Sequence, residues 1–427
     1  MTNDRIAVIG LGYVGLPLAV ALARQFPVLG YDIDPRRTAE LKRGADRTGA
    51  VEPSALAAAT RLTVSDRPED LAGHSLFIVT VPTPVDDEAR PDLGALRAAC
   101  ATVGRALIRD AVVVFESTVY PGVTEDVCGP ALAAASGLAP GRDFFLGYSP
   151  ERINPGDREH GVERLTKVIA GQTPAVVARL AAVYGAINGG QLYVARDIRT
   201  AEAAKVIENA QRDINVAFIN EIAMILGRLG LSVFDVLETA RTKWNFLPFQ
   251  PGLVGGHCIG VDPYYLAHAA LEAGHNPQIV LSGRRINDGM GGYIADEIAR
   301  ALARRTKAGP LAEILVLGLT FKENIRDLRN SRVVDLVRGL VKHGHRVSVH
   351  DPFADPAEAR ALYDIEPLNQ LPAQRFGAVV GAVAHDLYRD FGAADLERLL
   401  TDDGLVADVK GIWRGLTLPP RLARWQL

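Results

Sequence analysis

Short apolar runs alternate with longer amphipathic segments through the first half of the chain. Three segments have the length and the β-branched residues typical of buried strands: RIAVIG, SLFIVTVPTP and AVVVFESTVYPG. Two others have the length of helices: LPLAVALARQF and LGALRAACATVGRALI. Strands that alternate with helices predict βαβ units around a buried parallel sheet. The alternation resumes from about residue 309 with EILVLGLTF and HRVSVHDP, which predicts a second α/β domain.

The middle of the chain has a different pattern, with the period of one long helix. The segment that starts at Thr200 has no proline, and no glycine before Gly227. Its apolar side chains recur at helical spacing, at Val206, Ala210, Ile214, Ala217, Phe218, Ile222, Ile225 and Leu229. A long helix between two sheet domains is a suitable spacer and dimerisation surface. We therefore predict three domains, 1–199, 200–308 and 309–427, in a homodimer or a higher homo-oligomer.

The composition is that of a soluble globular protein, with 48% hydrophobic and 23% charged residues. A net charge of −3 argues against nucleic acid as a partner, since non-specific binding needs a broad basic face. The three cysteines predict no disulfide framework and a reducing compartment, the cytoplasm. The apolar run IAVIGLGYVGLPLAVALA is interrupted by glycines and a proline and follows no cluster of positive charge, so we expect no membrane insertion.

A glycine-rich turn links the first strand to the first helix. Gly10, Gly12 and Gly15 form a G-x-G-x-x-G pattern, and Asp32 ends the second strand 17 residues beyond Gly15. Glycines at these positions permit a tight turn, close approach of a pyrophosphate and close helix–strand packing, while the acid can bind ribose hydroxyls. We predict a dinucleotide site for NAD, because the 2′-phosphate of NADP would meet a like charge at Asp32.

Two arginines beyond the second strand, Arg36 and Arg37, temper this preference because either could receive a 2′-phosphate. With the glycine pattern in place, the predicted fold class is α/β: two Rossmann-like doubly wound parallel-sheet domains joined by a central long-helix domain.

Two threonines follow later strands of the first domain. Thr83 lies in TVPTP and Thr118 in ESTVYPG, each after an apolar strand-like run. Ligands of open α/β sheets bind at the carboxyl ends of the strands, so we expect both side chains to contact cofactor or substrate. The alternative is that they are ordinary turn residues.

Polar residues lie on one face of the predicted long helix. Lys205 and Asn209 are one turn apart, with Arg212 and Asp213 a further turn along. Such residues are usually the solvated side of an amphipathic helix. Asparagine has poor helix propensity, however, and Asn209 and Asn220 would be explained if that face lined a cleft.

One cysteine has unusual neighbours. Cys258 lies in GGHCIGVD, where glycines leave room on both sides and Asp262 follows one turn later. A thiolate is a nucleophile whose formation depends on its surroundings, so we predict a catalytic thiol. His257 is expected to position the backbone or contact substrate, since adjacent residues of an extended chain point in opposite directions. Cys100 and Cys128 are interpreted as structural.

A histidine-rich segment, KHGHRVSVHD, contains His343, His345, His350 and Asp351. Its spacing fits a helix end, a turn and a strand, so no metal is predicted.

Taken together, the motifs resemble those of the UDP-glucose/GDP-mannose dehydrogenase family, and within it the branch that oxidises UDP-N-acetylhexosamines, including the Vi-polysaccharide-type UDP-N-acetylglucosamine 6-dehydrogenases. The matching segments span nearly the whole chain: GLGYVGLPLA, TVPTP, ESTVYPG, GYSPERINPGD, AAKVIENAQRDINVAFINE, KWNFLPFQPGLVGGHCIGVDPYYL, GRRINDGM and FKENIRDLRNSR. Where UDP-glucose dehydrogenases tend to read SPEFLREG and GGxCLPKD, this chain reads SPERINPGD and GGHCIGVD, which argues against glucose as the sugar.

The resemblance implies an NAD-binding domain at 1–199, a central helical dimerisation and catalytic domain at 200–308, and a UDP-sugar-binding domain at 309–427. It implies catalytic roles for Cys258, Lys205, Asn209, Asp262, Thr118 and Glu151. It implies cofactor contacts from Gly10, Gly12, Tyr13, Val14, Gly15, Asp32, Arg37, Thr83, Thr118 and Arg329. It implies substrate contacts from Arg152, Ile153, Lys205, Asn209, Arg212, Lys243, Gly255, His257, Arg284, Arg285, Lys322 and Lys410.

The activity implied is a four-electron, NAD-dependent oxidation at the sugar C6 hydroxyl through a thiohemiacetal and a thioester on Cys258. The product would serve as a polysaccharide precursor. UDP-N-acetylglucosamine is the first candidate substrate, and UDP-N-acetylgalactosamine and UDP-N-acetylmannosamine are alternatives, because epimers differ by a few hydrogen bonds. Two other readings stay open: a two-electron alcohol dehydrogenase, and a non-catalytic regulator that binds NAD.

Overall fold

The computed structural model describes residues 4–86, 88–152, 163–256, 259–305 and 311–427. The chain forms two compact units. The first comprises Met1–Asn209 with Tyr264–Asn276, and the second comprises Ala210–Pro263 with Pro277–Leu427. The three-domain boundaries given above stay a prediction.

The first unit alternates strands and helices along the chain. Its elements are β1 Ile6–Ile9, α1 Gly15–Ala23, β2 Val28–Tyr31, α2 Pro35–Lys42, α3 Pro53–Ala58, β3 Leu62–Ser65, β4 Leu76–Val79, α4 Gly94–Ala106, β5 Ala111–Phe115, α5 Gly129–Ser136, β6 Phe144–Tyr148, β7 Lys167–Gly171, α6 Pro174–Asn188 and β8 Leu192–Val194. A 3₁₀ turn at Pro68–Leu71 precedes β4, and a π-helical turn at Val123–Cys128 precedes α5.

These strands form one sheet in the order β3-β2-β1-β4-β5-β6-β7-β8. The first six are parallel, and β7 runs antiparallel to β6 before β8 pairs parallel with β7. The order 3-2-1-4-5-6 is that of a doubly wound dinucleotide-binding sheet. Strands β1, β2, β4 and β5 are buried along their whole length, which explains why they read as continuous apolar runs.

Helices cover both faces of this sheet, and the two-residue period of β1 divides its side chains between them. Ile6 and Val8 belong to the core that includes Leu18 of α1. Ala7 and Ile9 belong to the core on the opposite face, which includes α4.

The remaining elements follow in chain order. They are α7 Ile198–Arg228, α8 Val233–Ala240, α9 Asp262–Glu272, α10 Gln278–Ala303, β9 Glu313–Leu317, α11 Val333–Lys342, β10 Arg346–His350, α12 Pro356–Tyr363, β11 Phe376–Gly381, α13 Asp386–Arg389, α14 Ala393–Leu399, β12 Leu400–Asp408 and β13 Ala423–Gln426. Strands β9 to β13 form a parallel sheet in the order β10-β9-β11-β12-β13. This 2-1-3-4-5 arrangement is the other common doubly wound order. The predicted fold class, with two Rossmann-like parallel sheets and long helices, is confirmed.

Helix α7 is continuous over 31 residues, as the sequence pattern predicts. Val206, Ala210 and Ala217 are buried, whereas Phe218 and Ile225 are exposed. The apolar positions therefore include an outward-facing set on the second half of the helix.

A search of the described residues for long apolar helices finds none that could cross a membrane.

The stability of the second sheet depends on Trp413, which is fully buried. Its indole N–H donates to the carbonyl of Tyr388 at 2.7 Å, and its ring stacks on Phe391. We expect Trp413→Ala to lower the free energy of unfolding by about 3–5 kcal/mol. Trp244 is 92% exposed, so Trp244→Ala should change it by less than about 0.5 kcal/mol. Urea unfolding followed by far-UV circular dichroism measures both, and equal losses would contradict this assignment.

Candidate functional site

The turn after β1 contains three glycines, two of which lie tightly against the neighbouring chain. Gly10 adopts a left-handed conformation, with φ of +91°, and its N–H donates to the carbonyl of Tyr31 at 2.8 Å. A Cβ atom on Gly15 would lie 1.8 Å from the Gly10 carbonyl oxygen and 2.3 Å from Thr80 Oγ1. Glycine at both positions is therefore required by backbone geometry and packing.

Gly12 differs from these two because open space surrounds it: a Cβ atom there would meet no atom within 4 Å. No side chain caps the start of α1, and in its first turn the N–H of Leu16 donates to the Gly12 carbonyl at 3.2 Å. The positive end of the helix dipole suits a phosphate group. The arrangement of Gly10, Gly12 and Gly15 thus fits the pyrophosphate of a dinucleotide. Tyr13 and Val14 lie in the same turn and are half-buried.

The acid at the end of β2 is held beside this turn. Asp32 accepts a hydrogen bond from the N–H of Leu11 at 2.8 Å through Oδ2, and from the N–H of Asp34 at 2.9 Å through Oδ1. The carboxylate is half-buried, and each oxygen retains lone pairs for further donors such as ribose hydroxyls. Its position suits the predicted contact with a dinucleotide.

Arg37 is committed to internal partners. Its side chain is almost fully buried and donates to the Leu11 carbonyl at 2.9 Å, Glu40 at 3.0 Å and Asp46 at 2.8 Å. The guanidinium therefore supports the glycine turn from behind, and a cofactor contact by Arg37 stays a prediction. Arg36 is the exposed member of the pair and reaches Asp34.

The two predicted threonines lie together. Thr83 Oγ1 donates to the carbonyl of Thr118 at 2.7 Å, and the neighbouring Ser117 Oγ donates to the carbonyl of Val81 at 2.6 Å. These bonds join the segments that follow β4 and β5 at the carboxyl edge of the sheet. Both threonines are half-buried, as expected of residues that line a cleft.

Glu151 follows β6 at the same edge and is buried. Its Oε1 accepts from the N–H of Arg152 at 2.6 Å, and its Oε2 lies 3.7 Å from Lys167 Nζ. The Arg152 guanidinium pairs with Glu208 of α7 at 2.7 Å. Substrate contact by Arg152 would compete with that ion pair, and it stays a prediction. Ile153 lies outside the described residues.

Lys205 and Asn209 are each only 7% exposed. They therefore do not form a solvated face of α7, which was the alternative interpretation. One turn earlier, Glu202 accepts from the N–H groups of Gly122 at 2.6 Å and Thr124 at 2.9 Å, and burial raises the pKa of this carboxyl to about 6. Glu202 thus joins α7 to the ESTVYPG segment that carries Thr118, a role that sequence reasoning missed.

In the second unit, the glycines before the predicted nucleophile have a packing cause. A Cβ atom on Gly255 would lie 2.5 Å from the carbonyl oxygen of Asn330, and one on Gly256, with φ of +86°, would lie 2.8 Å from the ring of Phe321. For Gly255 and Gly256 the neighbouring chain itself therefore requires glycine, and that these glycines also leave room for the cysteine stays a prediction. His257 and Cys258 lie outside the described residues.

The loop that precedes Gly255 is hydrogen-bonded to α7. Asn220 is fully buried, and its side chain both donates to the carbonyl of Gly252 at 3.0 Å and accepts from its N–H at 2.7 Å. The asparagine in the middle of α7 is thereby explained, because it anchors the loop at Gly252. The sequence had suggested that it lines a cleft. Asp262 opens α9 and is almost fully buried.

A pocket in the second unit collects several predicted substrate contacts. Gly255, Lys322 and Lys410 line it together with Phe321 and Arg332. Burial lowers the pKa of Lys410, and the charge of Glu323, which also lines the pocket, acts in the opposite direction. Among the described residues, no carboxylate forms an ion pair with this lysine. Cations in such a pocket suit a diphosphate.

The other predicted basic contacts are dispersed. Arg284 is buried and paired with Asp213 at 2.5 Å, and Arg329 pairs with Asp327 at 2.7 Å. The remaining three, Arg212, Lys243 and Arg285, are exposed.

The histidine-rich segment divides among separate partners. His350 contacts the Tyr388 hydroxyl at 2.8 Å, and Asp351 pairs with His385 at 3.1 Å. Within the described ranges, no group of three or more potential ligands could hold a metal ion.

The two other cysteines are buried and free of disulfide bonds. A hydrogen bond with Cys100, together with burial, raises the pKa of the Cys128 thiol well above its usual range. Neither has the surroundings of a reactive thiolate.

Comparison with known proteins identifies a family for all three parts of the chain. Family models of the UDP-glucose/GDP-mannose dehydrogenase family match residues 4–188 as the NAD binding domain, 199–289 as the central domain and 315–415 as the UDP binding domain.

The relatives match over nearly their full length. A UDP-N-acetyl-D-glucosamine 6-dehydrogenase of Pseudomonas aeruginosa is 46% identical over 96% of this chain and 97% of its own, and one of Salmonella typhi is 44% identical over 95% and 96%. Among solved structures, a UDP-D-ManNAc dehydrogenase from Pyrococcus horikoshii has a TM-score of 0.88 and 30% identity, with 98% of each chain covered.

The position of Asp32 makes cofactor affinity testable. Asp32→Ala removes a charged acceptor and its bond to the glycine turn, so the KM for NAD should rise about tenfold to a hundredfold. Glu69 is an exposed carboxylate in the 3₁₀ turn before β4, and Glu69→Ala should leave that KM within about twofold. Steady-state kinetics at saturating sugar nucleotide measure both, and an unchanged KM in Asp32→Ala would refute the assignment.

Proposed function

This chain belongs to the UDP-glucose/GDP-mannose dehydrogenase family and is an NAD-dependent nucleotide-sugar dehydrogenase, and on that premise we propose that it oxidises the C6 hydroxyl of a UDP-N-acetylhexosamine to the carboxylate. UDP-N-acetylglucosamine is the proposed substrate. The observation that carries this choice is the 44–46% identity, over nearly the whole chain, to two enzymes named for that substrate. The resulting uronic acid is a precursor suited to polysaccharide synthesis.

The proposed chemistry divides a four-electron oxidation into two steps of two electrons. Gly10, Gly12 and Asp32 would hold NAD, and one NAD for each oxidation would supply the acceptor for the hydride that leaves C6. Lys205 takes the hydroxyl proton, directly or through water, and stabilises the oxyanion. The Cys258 thiolate adds to the resulting aldehyde as a thiohemiacetal, and loss of the second hydride leaves a thioester.

Hydrolysis completes the reaction and regenerates the thiol. Asp262 and Thr118 position the attacking water, which breaks the carbon–sulfur bond and gives the carboxylate. Glu151 and Asn209 hold the surrounding groups in place. Covalent attachment to Cys258 also keeps the aldehyde from escaping between the two oxidations.

Burial of the polar residues supports these roles within each unit. Lys205, Asn209 and Glu151 are each less than 10% exposed, whereas lysine, asparagine and glutamate side chains on a helix or loop usually reach solvent. Buried ionisable groups beside a predicted cofactor site are more often functional than stabilising.

The UDP diphosphate is assigned to the pocket of the second unit. Lys322 and Lys410 both line it, and two phosphate charges would complement them. Arg284, which was also expected to meet the diphosphate, is paired with Asp213. Lys410 forms no ion pair among the described residues and is therefore favoured over Arg284 as a diphosphate ligand.

A specificity experiment tests the proposed substrate. UDP-N-acetylglucosamine, its galacto and manno epimers and UDP-glucose are incubated separately with NAD, and both NADH and product mass are followed. We expect UDP-N-acetylglucosamine to have the highest kcat/KM and to yield about two NADH per acid formed. A yield of about one NADH with free aldehyde would support a two-electron alcohol dehydrogenase, and no NADH with any sugar would support a non-catalytic regulator.

The role of the thiol is tested in the same assay. Cys258→Ala should lower NADH formation by roughly a thousandfold or more, because the proposed thioester forms on the sulfur that this variant lacks. Cys100→Ala is the matched control: that thiol is buried among apolar side chains of the first unit, so activity should stay within about twofold. Full four-electron turnover by Cys258→Ala would exclude the thioester route.

A homodimer is proposed from the exposed apolar positions of α7. Phe218, Ile225 and the nearby Leu229 all present large side chains to solvent in the single chain. Phe218→Glu should therefore lower the mass measured by sedimentation velocity, whereas the control Leu362→Glu, at an exposed site of α12, should not. Equal masses for Phe218→Glu and the unsubstituted protein would contradict this surface.

A further inference from the structure

A buried group of ionisable side chains lies next to Glu151 in the first unit. It consists of Glu116, Lys167 and Tyr184, none of which was selected from the sequence as a site residue. Lys167 Nζ lies 2.6 Å from Glu116 Oε2, and the Tyr184 hydroxyl donates to Glu116 Oε1 at 2.5 Å. Lys167 is 7% exposed, and the other two side chains are fully buried.

The reversed direction of β7 brings this lysine to the functional edge. Lys167 is the first residue of β7, and β7 pairs antiparallel with β6 through Gly147–Gly171 and Tyr148–Ala170. The start of an antiparallel strand lies beside the end of its neighbour, so Lys167 meets the segment after β6 that carries Glu151. Ser149 Oγ fixes this approach by donating to the Val168 carbonyl at 2.7 Å.

Lys167 is an ammonium ion shared by two carboxylates. Burial alone would lower its pKa, but Glu116 and Glu151 together outweigh burial, and the pKa lies above its usual value. Its distance to Glu151 Oε2 is 3.7 Å, and it also donates to the Pro150 carbonyl at 3.4 Å. Tyr184 covers it from α6, with Nζ 5.4 Å from the ring centroid.

A buried ion group of this kind contributes little to stability, since the cost of desolvating the charges offsets their attraction. It fixes geometry, because a member that moves away leaves the charge of its partner unpaired in a buried site. Glu151 is held on one side by the Arg152 N–H and on the other by the Lys167 charge.

We propose that Lys167 is a positioning residue of the active site: anchored by Glu116 and Tyr184, its ammonium group fixes the Glu151 carboxylate in its working orientation. This inference rests on the proposed function, in which Glu151 belongs to the reacting site. Lys167 itself need not touch sugar or cofactor.

The first test compares Lys167→Met with Lys167→Arg in the full-length enzyme. Lys167→Met should lower kcat about tenfold to a hundredfold, because the Glu151 carboxylate is no longer held in its working orientation. The KM for NAD should stay within about twofold. Lys167→Arg keeps the cation and should recover most of the lost kcat. A folded Lys167→Met enzyme with full kcat would overturn the proposal.

Because Lys167→Met leaves the Glu116 charge buried without its partner, a second variant guards against misfolding. Glu116→Gln/Lys167→Met removes both charges and keeps a hydrogen-bonding partner for Tyr184. It should fold and show the same loss of kcat as a folded Lys167→Met enzyme. Full kcat in this double variant would also overturn the proposal.

A matched control lies elsewhere in the same unit. Arg179 of α6 forms a partly buried ion pair with Asp4, which lies just before β1. Arg179→Met removes this somewhat less buried ion pair and should lower Tm while leaving kcat within about twofold. An equal loss of kcat in Arg179→Met would mean that the Lys167 effect is general destabilisation, against the proposal.

Coupling to Glu151 separates this inference from the function on which it rests. In a Glu151→Gln background, Lys167→Met should lower kcat by less than about twofold further, since the group that it positions is already altered. Additive losses would overturn the proposal. If Glu151→Gln alone retains full kcat, the proposed role of Glu151 fails; if Glu151→Gln is impaired and Lys167→Met is not, only the present inference fails.

Discussion

All strands of a parallel sheet end at the same edge, and this constraint organises the site of the first unit. The glycine turn follows β1, Asp32 follows β2, Thr83 follows β4, Thr118 follows β5 and Glu151 follows β6. Residues more than a hundred positions apart in sequence are thereby brought to one edge. The tight contact between Gly15 and the Gly10 carbonyl completes this arrangement, because it sets α1 against the sheet with its amino end at the same edge.

Ionisable groups are buried at this edge, and removing them from water costs free energy. Hydrogen bonds and ion pairs to neighbouring groups offset that desolvation cost. Glu202 receives two backbone N–H groups, and Lys167 lies between two carboxylates. Two buried arginines also have carboxylate partners: Arg37 in the first unit and Arg284 in the second. A side chain that is already satisfied in this manner is better understood as support for a site than as a ligand. Lys410, which forms no ion pair among the described residues, is the better ligand candidate.

The features that the sequence predicts well are those with a local cause. The glycine spacing, the acid at the end of β2 and the uninterrupted helical period of α7 each depend on residues near one another in the chain, and each is present in the structure. The contacts that depend on distant partners could not be predicted from the sequence. Nothing near Arg284 in sequence indicates that Asp213 will bind it, and nothing near Gly256 indicates that the ring of Phe321 will lie against it.

Lys167 shows the same limit most clearly. Its pairing with Glu116 joins residues 51 positions apart and depends on β7 running against the direction of its neighbour, which strand patterning alone does not reveal. A weak signal was present, since Lys167 is the one charged residue in the strand KVIAG and a charge at the end of a buried strand needs a partner. Asn220 carried a similar signal, and its partner, the backbone of Gly252, could be found only in the folded chain.

The proposed mechanism depends on a covalent bond between the substrate carbon and the sulfur of Cys258. The most direct measurement is rapid acid quenching during turnover with UDP-N-acetylglucosamine and NAD, followed by mass spectrometry of the intact protein and of its peptides. We expect a sugar-nucleotide adduct on the peptide that contains Cys258, with the mass of a thioester or thiohemiacetal. Acid product formed at full rate with no adduct at any quench time would contradict the account.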